Sequence, residues 1–99
     1  MFVYRVKVHE LTEQILSMLK LDLNQRENTL REHCPIREMS VVADATMPKG
    51  ELDIYLALDD FIDGSQVRRL LGELKSLISQ DMVAAKAPEP RISTELIRI

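Results

Sequence analysis

The order in which hydrophobic periodicity changes along the chain is the feature that most constrains its fold. Side chains alternate with a period of two, as in a strand with one buried face, over residues 2–8, 40–45, 51–59 and 91–99. After the first and third of these stretches, hydrophobic residues instead recur every three or four positions, as on an amphipathic helix. The sequence therefore predicts the element order β-α-β-β-α-β within a single α+β domain, residues 1–99.

The first half of the chain predicts a strand followed by a helix that covers at least residues 11–21. Residues 22–28 are poor helix formers and lose the hydrophobic stripe until Leu30, so the sequence leaves open whether the first helix continues past Leu21. Pro35 ends this region in either case, because it disfavours helical geometry at Cys34.

The second half of the chain begins with the clearest local signal, a predicted hairpin turn that contains Pro48 and Gly50. A second helix follows, and Asp63 or Ser65 is placed to cap its first free amides. Gly72 lies inside this helix, where we expect it to permit close packing. The helical stripe of this segment is the strongest in the chain: Val67, Leu70, Leu71, Leu74, Leu77 and Ile78.

Two β-α-β crossovers that share one sheet predict a ferredoxin-like two-layer sandwich, with a four-stranded antiparallel sheet and two helices on one face. In that arrangement the first strand lies beside the third, and two cations of the first strand would face carboxylates of the third. The cations are Arg5 and Lys7, and the carboxylates are Glu51, Asp53 and Asp59. The competing architecture is an antiparallel sheet packed on one long first helix, as in secretion-chaperone-like folds.

Charge and composition exclude several classes of partner. The net charge is −3 with both signs interspersed, which leaves no basic surface to attract a phosphate backbone, so we expect no nucleic acid. The chain shows neither a basic-then-apolar leader nor a run of apolar residues long enough to cross a bilayer, so we expect no membrane contact. The single cysteine cannot form an internal disulfide, and a cytoplasmic location is the expectation.

Candidate ligands for a metal or a reaction are few and badly spaced. His33 and Cys34 are adjacent and far from His9 in sequence, which matches no zinc motif. A carboxylate cluster follows the third predicted strand but lacks the alternating oxygen ligands of a calcium loop; its members are Asp59, Asp60 and Asp63. We therefore predict no metal, no cofactor and no enzymatic activity. A site that combines one histidine with one of these carboxylates is the enzymatic alternative.

Surface apolarity on the uncovered side of the sheet is the remaining functional signal. If both helices cover the face that carries Phe2, several hydrophobic residues lie on the opposite face and form a candidate protein interface. These are Val3, Val42, Tyr55, Ile97 and Ile99. Self-association as a two-fold dimer, through this face or through an edge strand, is the expected consequence.

The element order resembles that of ACT-type domains, although no motif supports the resemblance. It implies a small regulatory domain, homodimeric, that senses a small-molecule ligand at a subunit boundary. The alternative is an acidic chaperone or adaptor module that holds an extended segment of another protein against a sheet edge. We expect the partner to be a second copy of the chain or another protein.

Overall fold

The computed structural model describes residues 2–32, 35–44, 50–59 and 62–98, without the side chains of Asp44 and Arg98. Its sheet has the strand order β2-β3-β1-β4, and each neighbouring pair is antiparallel. No helix in the described ranges is both long and apolar enough to cross a membrane. The elements are β1 Phe2–Leu11, α1 Glu13–Gln25, α2 Glu27–Arg31, β2 Ile36–Asp44, β3 Gly50–Leu58, α3 Gly64–Ala84 and β4 Ile92–Arg98.

One hydrophobic core joins a single face of the sheet to all three helices. The alternation predicted for β3 appears directly in its burial, since Leu52 and every second residue after it is buried while the residues between are partly exposed. The opposite face carries the intervening residues of each strand, and no described helix packs there. The fully buried residues of the helices are Leu19, Leu23, Leu30, Leu70, Leu74 and Ile78.

The predicted α+β class and four-stranded antiparallel sheet are confirmed, but the described residues form three helices where two were predicted. The first helix does extend past Leu21, to Gln25, and the short α2 follows it. Leu23 and Leu30 are both fully buried, so the polar stretch between them is held against the core at both ends. Burial of these two leucines offsets the low helix propensity of the residues around them.

The first helix begins at Glu13 and not at Leu11, so the predicted start was wrong. Leu11 belongs to β1, where it pairs with Gly50 and is buried. The strand reaches it through an irregularity after Val8, and Glu10 adopts a positive φ of 59° there. An extra residue of this kind turns the strand so that Leu11 still points into the core.

Capping at the second long helix follows the prediction, whereas packing at its glycine does not. The Asp63 carboxylate accepts a hydrogen bond from the Gln66 backbone N–H, and the Gln66 side chain accepts one from the Asp63 N–H. Gly72 is exposed, and a Cβ built there would meet no atom within 4 Å. The expectation of close packing at Gly72 is therefore wrong. The predicted turn around Pro48 lies outside the described residues.

Candidate functional site

The open face of the sheet is organised as rows of side chains that run across the strands. Val3 of β1 lies between Ala57 of β3 and Ile97 of β4, which forms an apolar row. The next row places Tyr55 between Ser40 and Arg5. The open face is therefore apolar at one end and polar through its middle.

Ion pairs occupy the middle of the open face. Lys7 Nζ lies 3.2 Å from Glu51 Oε2 and 3.8 Å from Asp53 Oδ1, as predicted for β1 beside β3. The hydrogen bond with Glu51, followed by the charge of Asp53, raises the pKa of Lys7. Arg5 differs from the prediction, because its guanidinium pairs with Glu95 on β4 and hydrogen-bonds the Tyr55 side chain. These contacts raise the pKa of Arg5, the hydrogen bond with Tyr55 being the largest cause.

The predicted interface residues share this face but do not form one continuous patch. Val3 and Ile97 are direct cross-strand neighbours, and Tyr55 lies one row away. Val42 is 47% exposed, but it lies on the outer strand at the end of the row that contains Asp53 and Lys7, so this ion pair separates it from Val3 and Ile97. Ile99 lies outside the described residues. An interface through these residues stays a prediction.

The two edges of the sheet differ in how they are protected against pairing with another strand. The β2 edge carries an irregularity between Ile36 and Glu38, and Arg37 at that point pairs with Asp59 at 3.1 Å. Bulges and charges of this kind hinder edge-to-edge pairing. The β4 edge has no such irregularity, because its register with β1 is uninterrupted from Ile92 to Arg98; its charged residue Glu95 lies on the open face, where it pairs with Arg5.

The direction of the free backbone groups on β4 follows from one hydrogen bond. The His9 N–H donates to the Arg91 carbonyl at 2.9 Å. In the antiparallel register with β1, hydrogen-bonded pairs alternate with non-bonded ones, so Ser93, Glu95 and Ile97 also point their backbone groups toward β1. The backbone N–H and C=O groups of the intervening residues, Ile92, Thr94 and Leu96, point away from the sheet.

An apolar groove of about 280 Å³ lies beside β4 on the helical side of the sheet. Leu96 forms one wall and is 40% exposed, unusual for a leucine on the core-facing side of a strand. The other lining residues are Phe2, Tyr4, Leu58, Asp59, Ile62, Gly64 and Val67. The helices thus leave the outer strand of the sheet only partly covered.

A second cavity, of about 270 Å³, lies where β1 meets α1 and where α3 leads into β4. Its apolar walls include Leu11 and Met82, both buried. His9 and Arg91 contribute polar groups at its rim, and His9 Nε2 is 2.7 Å from Ser93 Oγ. A cavity with apolar walls and a few polar groups is the usual form of a small-molecule site.

A pair of carboxylates lies between α1 and α3. The carboxyl groups of Asp22 on α1 and Asp81 on α3 lie beside each other, where a side-chain hydrogen bond between them needs one of the two to carry a proton. Burial, then the hydrogen bond and charge of Asp22, raises the pKa of Asp81 from its ordinary 3.8 to about 7. The same hydrogen bond, together with Arg26 at 3.1 Å, lowers the pKa of Asp22. Asp81 Oδ2 is buried and has no hydrogen-bond donor of its own among the described side chains.

The residues considered for metal binding or catalysis are dispersed. Asp59 pairs with Arg37, and Asp63 caps α3. His9 hydrogen-bonds Ser93 and lies 3.7 Å from Glu51. No cluster of three or more potential metal ligands occurs among the residues that the structure describes. The remaining candidates, His33, Cys34 and Asp60, lie outside them.

Two features of the structure were not predicted from the sequence. The Asp22–Asp81 pair joins residues far apart in the chain, and neither belongs to a motif. The exposure of Leu96 also has no local signal, since it occupies a position on β4 that alternation assigns to the core. Both features depend on where α3 lies relative to its neighbours.

Comparisons with known proteins identify a fold and no family. No family model matches the chain, and no curated protein sequence is detectably similar to it. The structure is similar to that of a de novo designed protein, Foldit4, with a TM-score of 0.71 and 11% identity over 99% of this chain and 97% of the other. At that identity the similarity concerns the fold alone, and it supports the α+β architecture.

Proposed function

We propose that this chain is a small non-catalytic regulatory or interaction domain that works as a homodimer in the cytoplasm. The observation that carries the proposal is the contrast between the two sheet edges. The outer side of β2 is interrupted and charged, whereas the outer side of β4 is regular and carries unpaired backbone groups. A regular exposed edge is a template for another strand, and natural proteins protect such an edge unless it is used.

The ferredoxin-like topology belongs to the same proposal. Its support is the strand order β2-β3-β1-β4. In this order β3 lies between β1 and β2, the two strands of the first crossover, and β1 lies between β3 and β4, the two strands of the second. The helices share one core on one face, as that topology requires. The short α2 is then an extension of the first crossover and not a separate layer.

A regulatory role would use the cavity between the start of α1 and the start of β4. Arg91 lines this cavity and directly precedes β4, so a ligand there would contact the residue that leads into the free edge. We expect a small molecule that binds this cavity to raise the melting temperature. Replacement of Met82 by a larger side chain, Met82→Phe, would fill the cavity and abolish that shift.

The alternative function is an adaptor that adds an extended peptide of another protein to the same edge. The backbone groups of β4 would serve a peptide equally well, with the groove beside Leu96 receiving one of its side chains. Under this alternative the isolated chain is monomeric, and its binding to the peptide is lost when β4 is blocked.

Sedimentation equilibrium over a range of protein concentrations tests the proposal. We expect a reversible monomer–dimer equilibrium with a dissociation constant in the micromolar range, about −8 kcal/mol. A chain that stays monomeric at the highest concentration reached contradicts homodimerisation. A monomer that binds one partner polypeptide, and loses it on Thr94→Lys, establishes the adaptor function instead.

A further inference from the structure

We propose that β4 pairs antiparallel with β4 of a second copy, about a two-fold axis at Thr94, so that both sheets join into one continuous sheet. The inference rests on the proposed self-association and specifies which surface and which register it uses. It depends on the backbone direction of β4, on the side chains that each register brings together, and on the charges of the open face.

The backbone direction selects which residues of β4 can bond a second strand. Ile92, Thr94 and Leu96 direct their N–H and C=O groups away from β1, as the His9–Arg91 hydrogen bond establishes. A second strand must therefore form its hydrogen-bonded pairs with these residues. Without such a strand, this row of groups is left to solvent.

Three registers overlap most of β4 and keep each side chain on its own face of the sheet. They place the two-fold axis at Thr94, at Glu95 or at Leu96. The axis at Glu95 sets Glu95 directly opposite Glu95 of the second copy. The two residues form a pair without backbone hydrogen bonds, in which Cα atoms are about 4.5 Å apart, so the two carboxylates repel each other. The axis at Leu96 sets Glu95 opposite Ile97 of the second copy, which pairs a carboxylate with an apolar side chain.

The axis at Thr94 sets Glu95 opposite neither its own copy nor Ile97. It sets Leu96 opposite Ile92 of the second copy, and the symmetry repeats this apolar contact on the other side of the axis. Leu96 is 40% exposed in the single chain, so the contact would bury apolar surface that the helices leave uncovered. Glu95 then faces Ser93 of the second copy, and its two diagonal neighbours there are Arg91, which has the opposite charge, and the second copy's Glu95, which is no longer directly opposite.

The charges of the open face favour the edge over the face as the dimer surface. Arg5, Lys7, Asp53 and Glu95 fill its middle rows, and burying them under a second sheet would cost their desolvation. Pairing through β4 leaves these ion pairs in water. Val3 of β1 and Ile97 of β4 belong to the apolar row at one end of the open face. These two predicted interface residues would therefore lie close to the junction between the two sheets.

Disulfide trapping tests the register. In a background with Cys34→Ser, single cysteines are placed as Thr94→Cys, Glu95→Cys or Leu96→Cys, and dimer formation under mild oxidation is followed by non-reducing electrophoresis. Thr94 would lie about 5.5 Å from its own copy between Cα atoms, within the range that a disulfide spans. We expect Thr94→Cys to cross-link at least about tenfold faster than the other two, since both lie farther from their own copies.

Two substitutions at Thr94 test the same interface without a covalent cross-link. Thr94→Lys places two ammonium groups on the two-fold axis, and Thr94→Val keeps the size and strand propensity of the threonine without a charge. We expect Thr94→Lys to weaken dimerisation at least about tenfold, and Thr94→Val to leave it near the wild-type value. Far-ultraviolet circular dichroism of each variant confirms that its fold is retained.

The outcomes separate this inference from the proposed function. A wild-type dimer that cross-links fastest through Glu95→Cys or Leu96→Cys overturns the register and keeps the homodimer. A dimer that Thr94→Lys does not weaken places the interface elsewhere, and the open face becomes the candidate. A wild-type monomer overturns both proposals.

Discussion

The Asp22–Asp81 pair makes a prediction that differs in sign from the behaviour of most surface carboxylates. In the folded chain the pKa of Asp81 is raised to about 7 from an ordinary 3.8, so folding takes up a proton at intermediate pH. The contribution of Asp81 to the free energy of unfolding is therefore complete below pH 3.8. It falls as the pH rises toward 7, and above that pH it is lost. Asp22 and Asp63, whose pKa values are lowered, lose their contributions only when the pH falls below their ordinary range.

The size of the effect follows from the shift and from the exposure of the pair. A change in pKa from 3.8 to about 7 corresponds to about 4 kcal/mol for a fully shielded group. Asp81 is half-buried, and the pKa of Asp22 moves in the opposite direction, so solvent screening reduces this figure. We expect about 1 kcal/mol of stability to be lost as the pH rises from about 4 to about 7, or about 4–8 °C in melting temperature.

The variant Asp81→Asn isolates this contribution. Its amide can donate to the Asp22 carboxylate at every pH, so the link between α1 and α3 no longer depends on a shared proton. We expect a melting temperature that changes less across this pH range than that of the wild type, and a more stable protein than the wild type at the upper pH. Differential scanning calorimetry at several pH values measures both. The control is Glu38→Gln, which neutralises an exposed carboxylate on β2 and should keep the wild-type slope.

Parallel pH profiles for Asp81→Asn and the wild type would refute this reasoning. So would an Asp81→Asn protein less stable than the wild type at the upper pH. Either result would mean that the two carboxylates are separated by water in the folded protein, and that no proton is shared between the helices.

The remaining predictions concern α3 and β4. Gly72→Ala should stabilise the protein by about 0.5–1 kcal/mol, because the site is exposed inside a helix and the added methyl meets no neighbour; urea denaturation measures the gain, and a loss would indicate hidden packing at this glycine. Leu74→Ala should cost about 2–5 kcal/mol because Leu74 is fully buried, whereas Leu21→Ala, at a residue 62% exposed, should cost far less; equal losses would contradict the assigned core. Thr94→Lys should not change the free energy of unfolding of the isolated monomer, measured with urea, by more than about 0.5 kcal/mol, since the Thr94 side chain is exposed in the monomer; a larger loss would mean that residue 94 packs inside the monomer.

The types of the main elements could be predicted from the chain because they depend on local periodicity. The alternation in β3 and the stripe of α3 each lie within one element, and each matches the burial that the structure assigns. Asp63 could also be identified, because a capping residue contacts amides only a few positions away. The charge pairing of Lys7 with Asp53 followed once β1 was placed beside β3.

Element boundaries and the finer ion pairing could not be predicted, because they depend on neighbours distant in sequence. Leu11 looks like the first residue of a helical stripe, but its pairing with Gly50 makes it the last residue of a strand. Arg5 has acidic neighbours on both sides in the sheet, and it pairs with Glu95 instead of the β3 carboxylates.

The sequence by itself determined the class of the fold, the order of its strands and two long helices along the chain, and which face of β3 is buried. These properties follow from the spacing of hydrophobic side chains within single elements. Only the tertiary structure decided which sheet edge is left regular, where α3 leaves Leu96 exposed, and that Asp22 meets Asp81. Each of these is a contact, or a missing contact, between elements far apart in the chain, and hydrophobic periodicity carries no information about such distances.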